Sequence, residues 1–245
     1  MFKRLFSTSI SQNWNSISKR QAIILILVGL LLELPVRWIV RPDIPYMYPG
    51  NPWFNLPLRI FIEIGFVLLL FPLAWSMKIS MPVLGIAWRR WTRWEWVAFA
   101  VVGTIEMIIV IMVAGERWPK LFEAGVLGGA LLWAFVEFFF GFNQESSFRG
   151  ILMTGIMRFT SPIWATILNT LVFLVGPIHG PGLLSLAAKN PTGAAWMLAG
   201  IVMTGLFFSW LRYRTDNLIL CGTLHGIVNG FLNGAAFARR AYLLN

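Results

Sequence analysis

The chain has 245 residues, 58% of them hydrophobic and only 12% charged, with a mean hydropathy of +0.71. Soluble domains carry about 25% charged residues, so this composition cannot cover a water-facing surface. It excludes an ordinary soluble enzyme, a disordered chain and a secreted disulfide scaffold. The one cysteine, Cys221, excludes an internal disulfide or a Cys-x-x-Cys site. An excess of 20 Lys+Arg over 10 Asp+Glu fits, in a membrane chain, cytoplasmic loops facing anionic lipid.

Residues 1–21 form a basic segment with Lys3, Arg4, Lys19 and Arg20 and no acid, suited to lie in the interface. The next apolar run has no Ala-x-Ala-like cleavage site and continues into Glu33, Pro35 and Arg37, so it reads as an uncleaved span. A spanning helix needs about 20 apolar residues. Windows near 22–40, 57–77, 96–114, 124–142, 162–179, 193–211 and 217–236 meet that length. The expected fold class is therefore all-α, a polytopic transmembrane helix bundle of about seven to eight spans. Residues 22–115 hold three spans without a recognised motif, and 116–245 hold the rest. Lys and Arg favour a cytoplasmic N-terminus, although a split helix would reverse the C-terminal part. The stretch 88–96, WRRWTRWEW, interleaves Trp with Arg as headgroup anchors do, and no nucleic-acid partner is expected.

Polar groups inside a bilayer are costly and call for a partner or a purpose. Glu33, Glu63 and Glu106 stand alone in the sequence and suit structural pairing. Residues 137–150, EFFFGFNQESSFRG, are richer. On one continuous α-helix Glu145 and Arg149 are i and i+4 and pair directly. Gln144 faces about 100° away from Glu145, and Glu137 lies two turns before Gln144 on nearly the same face. His179 sits where Pro177 disturbs the fifth span and Gly180-Pro181-Gly182 is expected to stop it. In the last span His225, Asn229 and Asn233 repeat every four residues beside a second stripe, Gly222, Gly226, Gly230 and Gly234. The glycines admit a close helix neighbour. The His/Asn stripe then looks into the bundle, as donors for a reacting group or for a structural interhelical hydrogen bond.

Taken together, Gln144-Glu145-x-x-x-Arg149, Val175-x-x-x-His179 and His225-x-x-x-Asn229 resemble the CPBP family of CAAX-protease and bacteriocin-processing (Abi) membrane proteins, which includes type II CAAX prenyl endopeptidases. The resemblance runs from about residue 120 to 236 and departs at two positions. Val175 stands where the family commonly has Phe, a difference of packing. Gln144 stands where the family has the Glu that the resemblance implies is the general base. An amide takes no proton near neutral pH, and general-base assistance is worth about 10²–10⁴-fold. Glu145 is rotated away from that position and held by Arg149, and Glu137 is about 10 Å up the helix.

The resemblance implies an intramembrane endopeptidase that hydrolyses peptide bonds of membrane-associated, including prenylated, substrates. It makes His179 the partner in water activation, His225 and Asn229 the oxyanion donors, and Glu145 and Arg149 their support. With Gln144 the site is impaired as written, through either a natural loss or an engineered trap. The rival reading is a pseudoprotease, a non-catalytic membrane subunit or assembly factor holding a partner protein or lipid. Pigment or haem ligation by a histidine and transport are weaker readings. No cofactor is required, and two histidines without a third ligand make a poor permanent zinc site. Partners are membrane lipid and a membrane peptide or protein. The location is an integral membrane, by default a prokaryotic plasma membrane, with an organelle membrane as the alternative.

Overall fold

A computed structural model describes residues 14–36, 56–86, 89–114 and 126–242. The basic segment expected over residues 1–21 therefore lies largely outside the described residues, as do Arg37 and the end of the first apolar window. The described elements are helical and fall into two units.

The first unit comprises residues 1–43, 69–87 and 146–218. Its helix α1 (Lys19–Leu31) begins at a capping box: Gln21 N–H donates to Ser18 Oγ at 3.2 Å, and Ser18 N–H donates to Gln21 Oε1 at 2.7 Å. At Leu32–Val36 the helix widens into a π turn containing Pro35, whose missing N–H breaks the α-helical ladder. A second π segment, Ser146–Leu152, follows the signature residues and runs into a short helix, Met153–Met157. Helix α1 lies close against both. A Cβ on Gly155 would stand 2.7 Å from the Ala22 carbonyl, and one on Gly29 2.8 Å from Leu152 Cβ. Phe148, Leu152, Ile156, Ala165, Phe173 and Ile201 form the core of this unit. Arg212 is fully buried, paired with Asp216, with its guanidinium 4.6 Å from the Trp14 ring.

The second unit comprises residues 44–68, 88–145 and 219–245. It holds α2 (Leu56–Leu68), α4 (Arg93–Ala114), α5 (Val126–Glu145) and α10 (Leu218–Tyr242), while α3 (Leu70–Ser76) belongs to the first unit. Pro72 cannot donate to the Leu68 carbonyl, and the α-helical assignment lapses at Leu69. Thr92 and Glu95 make the capping box of α4, and Arg89 grips the buried Glu95 carboxylate bidentately at 2.7 and 2.8 Å. In the WRRWTRWEW stretch Trp91 and Trp96 pack on each other and on Phe99.

As far as they are described, the windows 96–114, 124–142, 193–211 and 217–236 fall on unbroken helices, whereas 22–40, 57–77 and 162–179 are interrupted. The helix numbered α7 (Pro162–Val175) follows the short α6 (Met153–Met157), and α8 (Gly180–Lys189) and α9 (Pro191–Thr215) complete the first unit. Among the described residues α4 and α9 are long and apolar enough to cross a membrane, and α7 with α8, bent by 63°, make a third if they form one broken span. Large apolar side chains point outward along them, among them Ile105, Met112, Trp196 and Met203. So much uncovered apolar surface suits lipid rather than water, and the chain is a helical integral membrane protein.

Candidate active site

The glycine stripe of α10 does what its period predicts. A Cβ on Gly226 would stand 2.6 Å from the Phe138 carbonyl, and one on Gly222 2.6 Å from the Phe142 ring. On Gly230 it would stand 3.0 Å from the Ala134 carbonyl, and on Gly141 of α5 2.7 Å from the His225 carbonyl. Only residues without a Cβ allow α5 and α10 to lie this close. Gly234 and Asn233 share the stripes, but their side chains lie outside the described residues.

That approach brings two of the expected site residues into contact. Glu145, at the last turn of α5, places Oε1 2.7 Å from His225 Nδ1, and both residues are buried. Where the carboxylate is ionised it accepts only, and the ring then donates to it from Nδ1–H. Neutral His225 then presents an Nε2 lone pair, and protonated His225 presents an Nε2–H donor beside a carboxylate that stabilises its charge. One arrangement thus supports either proton acceptance or stabilisation of an oxyanion. Asn229 follows one turn later on the same face of α10 and is half-buried.

Gln144 is buried on α5 one residue before Glu145. Its other neighbour, Asn143, donates from Nδ2 to Glu63 Oε2 of α2 at 2.7 Å. Glu63 therefore has an amide partner, a contact the sequence reading missed because it passed over Asn143 among the apolar aromatics. Glu137 is buried two turns before Gln144 on unbroken α-helix, as its spacing predicts. The expected Glu145–Arg149 pairing presumed one uninterrupted helix. The α-helical register stops at Glu145, because Ser146–Leu152 is π-helical with i→i+5 bonding.

Arg149 belongs to the first unit. Its guanidinium is fully buried, donates from Nη2 to the Gly205 carbonyl at 3.1 Å, and lies 4.9 Å from the Phe173 ring centre and 5.6 Å from that of Phe148. His179 packs edge-on against the same Phe173 ring, with centroids 4.5 Å apart. One aromatic thus braces two expected site residues. It is not the residue at the family's Phe position, since Val175 is 63% exposed. Helix α7 ends at Val175 with Gly176 extended, so residues 175 and 179 share no helical turn, and Phe173 reaches His179 across the break.

Gly180-Pro181-Gly182 does not stop a helix; Gly180 starts α8, with Pro181 in its first turn and His179 as N-cap. Proline is tolerated there because the first N–H groups of a helix have no intrahelical acceptor. The first unit also shows a partner for Glu33, which stands alone in the sequence: Ser147 Oγ donates to its Oε1, and both groups are buried. The two π turns meet through that bond.

Among the described residues no group of three or more His, Cys, Asp and Glu is placed to hold a metal ion. The family described as type II CAAX prenyl endopeptidase Rce1-like matches residues 128–231, a stretch that includes all three motifs. No curated protein and no solved structure matches the chain.

Proposed function

We propose that this protein, whose residues 128–231 match the type II CAAX prenyl endopeptidase Rce1-like family, is an intramembrane endopeptidase fold whose general-base position is filled by an amide. The observation that carries the reading is the buried 2.7 Å contact between Glu145 Oε1 and His225 Nδ1. Such a pair fixes the tautomer and orientation of an imidazole and aims its other nitrogen at a reacting group. The wider architecture belonging to this reading is a bundle of seven to eight spans in a prokaryotic plasma membrane.

In this mechanism a water attacks the carbonyl carbon of a membrane-level peptide bond. The family resemblance gives His179, which packs against Phe173, the role of partner in water activation. The oxygen takes up negative charge and accepts hydrogen bonds from His225 Nε2–H and Asn229, donors of a kind worth about 2.7–4 kcal/mol each in comparable sites. Arg149 braces the segment after Glu145 through the Gly205 carbonyl. Gln144 offers hydrogen bonds that orient the water but accepts no proton. Turnover of the chain as written is therefore expected to fall below that of Gln144→Glu, by at most about 10⁴-fold. Substrates are membrane peptides, prenylated C-termini among them. No metal enters this mechanism.

The same Gln144 favours a second reading, a pseudoprotease that binds a membrane peptide, partner protein or lipid without cutting it. The deciding experiment incubates a pool of membrane peptides, prenylated ones included, with Gln144→Glu and with Gln144→Glu/His225→Ala, and reads products by mass spectrometry. Cleavage by the first and not the second supports the protease reading and names the substrate class. Silence from both, with each folded, overturns it in favour of the binding role.

A further inference from the structure

An amide at residue 144 leaves open which group of this chain takes the proton from water. In the second unit most buried acids are engaged or out of reach. Glu63 accepts from Asn143, Glu95 holds Arg89, and Glu145 holds His225. Glu137 is about 10 Å back along α5 from Gln144.

Glu106 on α4 differs from all of these. Val101, Ile105, Ile108, Ile109 and Met112 form the exposed face of α4. Gly103, Glu106 and Val110 lie at i, i+3 and i+7 on the opposite side, and Val110 is fully buried. A Cβ on Gly103 would meet Leu224 Cδ2 at 3.8 Å, so this face of α4 looks at α10 at Leu224, the residue before His225. The Glu106 carboxylate lies close enough to Glu145 for the two to act on one another electrostatically, and its Oε2 is buried without a hydrogen-bond partner. Glu106 as a whole is half-buried, and an enclosed carboxylate oxygen without a partner is costly.

We propose that Glu106 is the proton-accepting carboxylate of this protein's site, supplied from α4 in place of the residue missing at position 144. The proposal rests on the hydrolytic reading above. Glu106 takes a proton from water as the water oxygen bonds to the carbonyl carbon and the C=O electron pair moves onto oxygen. Collapse of that intermediate breaks the C–N bond, and the proton held by Glu106 passes to the leaving amine. Water and peptide become a carboxylic acid and an amine, with Glu106 returned to its starting state. Residual hydrolysis by the chain as written runs by this route.

The test compares the full chain, Glu106→Gln, Gln144→Glu and Glu106→Gln/Gln144→Glu on the prenylated membrane-peptide pool, with thermal midpoints recorded for each. Glu106→Gln is expected to lower the cleavage rate of the otherwise unaltered chain by about 10²-fold or more. The double variant is expected to keep the rate of Gln144→Glu, since the second carboxylate replaces the first. That rescue also shows that Glu106→Gln folds, and a structural role for Glu106 would not produce it. An unaltered rate in Glu106→Gln overturns the proposal and leaves the hydrolytic reading standing. So does a chain that is silent as written while Gln144→Glu cuts. Silence from Gln144→Glu as well overturns both.

Discussion

The close approach of α5 and α10 makes a prediction whose size follows from the structure. In Gly226→Ala the new Cβ stands 2.6 Å from the Phe138 carbonyl oxygen and 2.8 Å from its ring, where ordinary contact begins near 3.4 Å. The shortfall is about 0.8 Å, and its nearest atom is backbone, which no rotamer change relieves. Overpacking of this kind costs about 1–3 kcal/mol. Gly200 on α9 and Gly65 on α2 have open space instead, with nothing within 4 Å of an added Cβ. Their Ala variants carry only the helix-propensity gain of about 0.5–1 kcal/mol. Measuring Gly226→Ala against Gly200→Ala cancels that gain. The difference corresponds to about 2–12 °C in thermal midpoint for a chain of this size, read from intrinsic tryptophan fluorescence in detergent. A second consequence is local. If the helices part by the full shortfall at residue 226, the 2.7 Å Glu145–His225 contact opens to about 3.5 Å, beyond hydrogen-bond geometry. The stability loss should therefore bring loss of cleavage in the Gln144→Glu background. Equal midpoints for the two variants would refute the close approach, and with it the argument for the glycine stripe.

Phe173→Ala removes the ring that braces both Arg149 and His179, and should cost about 3–5 kcal/mol in the same thermal assay. Val175→Phe, at an exposed position, should change stability by less than about 0.5 kcal/mol, whereas a large effect would show that residue 175 packs on His179 after all. For the buried Glu33–Ser147 bond, a double-mutant cycle with Glu33→Gln and Ser147→Ala should give a coupling of about 0.5–3 kcal/mol; independent effects would remove the link between the two π turns. Arg212→Met leaves Asp216 without its buried partner and strips a cation from the Trp14 ring, so it should destabilise by about 1–3 kcal/mol. Chemical unfolding of this variant beside the unaltered chain reads that loss directly.

Composition alone determined the solvent of this protein, because too few charged residues are present to face water on all sides. Period-four spacing determined the two stripes of α10, since any regular α-helix puts such residues on one face, and the glycines there meet backbone as their spacing requires. The three motifs, read in order, carried the family resemblance, and they lie inside the stretch 128–231 that the family model matches. Helix breaks were only partly legible. Pro35 and Pro72 mark two of them, yet the change from α to π register after Glu145 has no proline to announce it. The Glu145–Arg149 expectation assumed one α-helix through residue 149, and the register changes to π between the two residues. Likewise, Gly180-Pro181-Gly182 is compatible with ending one helix or starting another, and the bend at residues 176–179 chose the start. Tertiary structure alone decided the partners: Asn143 for Glu63, Ser147 for Glu33, Phe173 for His179 and His225 for Glu145. A residue's spacing reports which face it occupies on its own helix, whereas its partner depends on which other helix covers that face. The choice between those helices is made by packing across long stretches of chain, which local periodicity does not record.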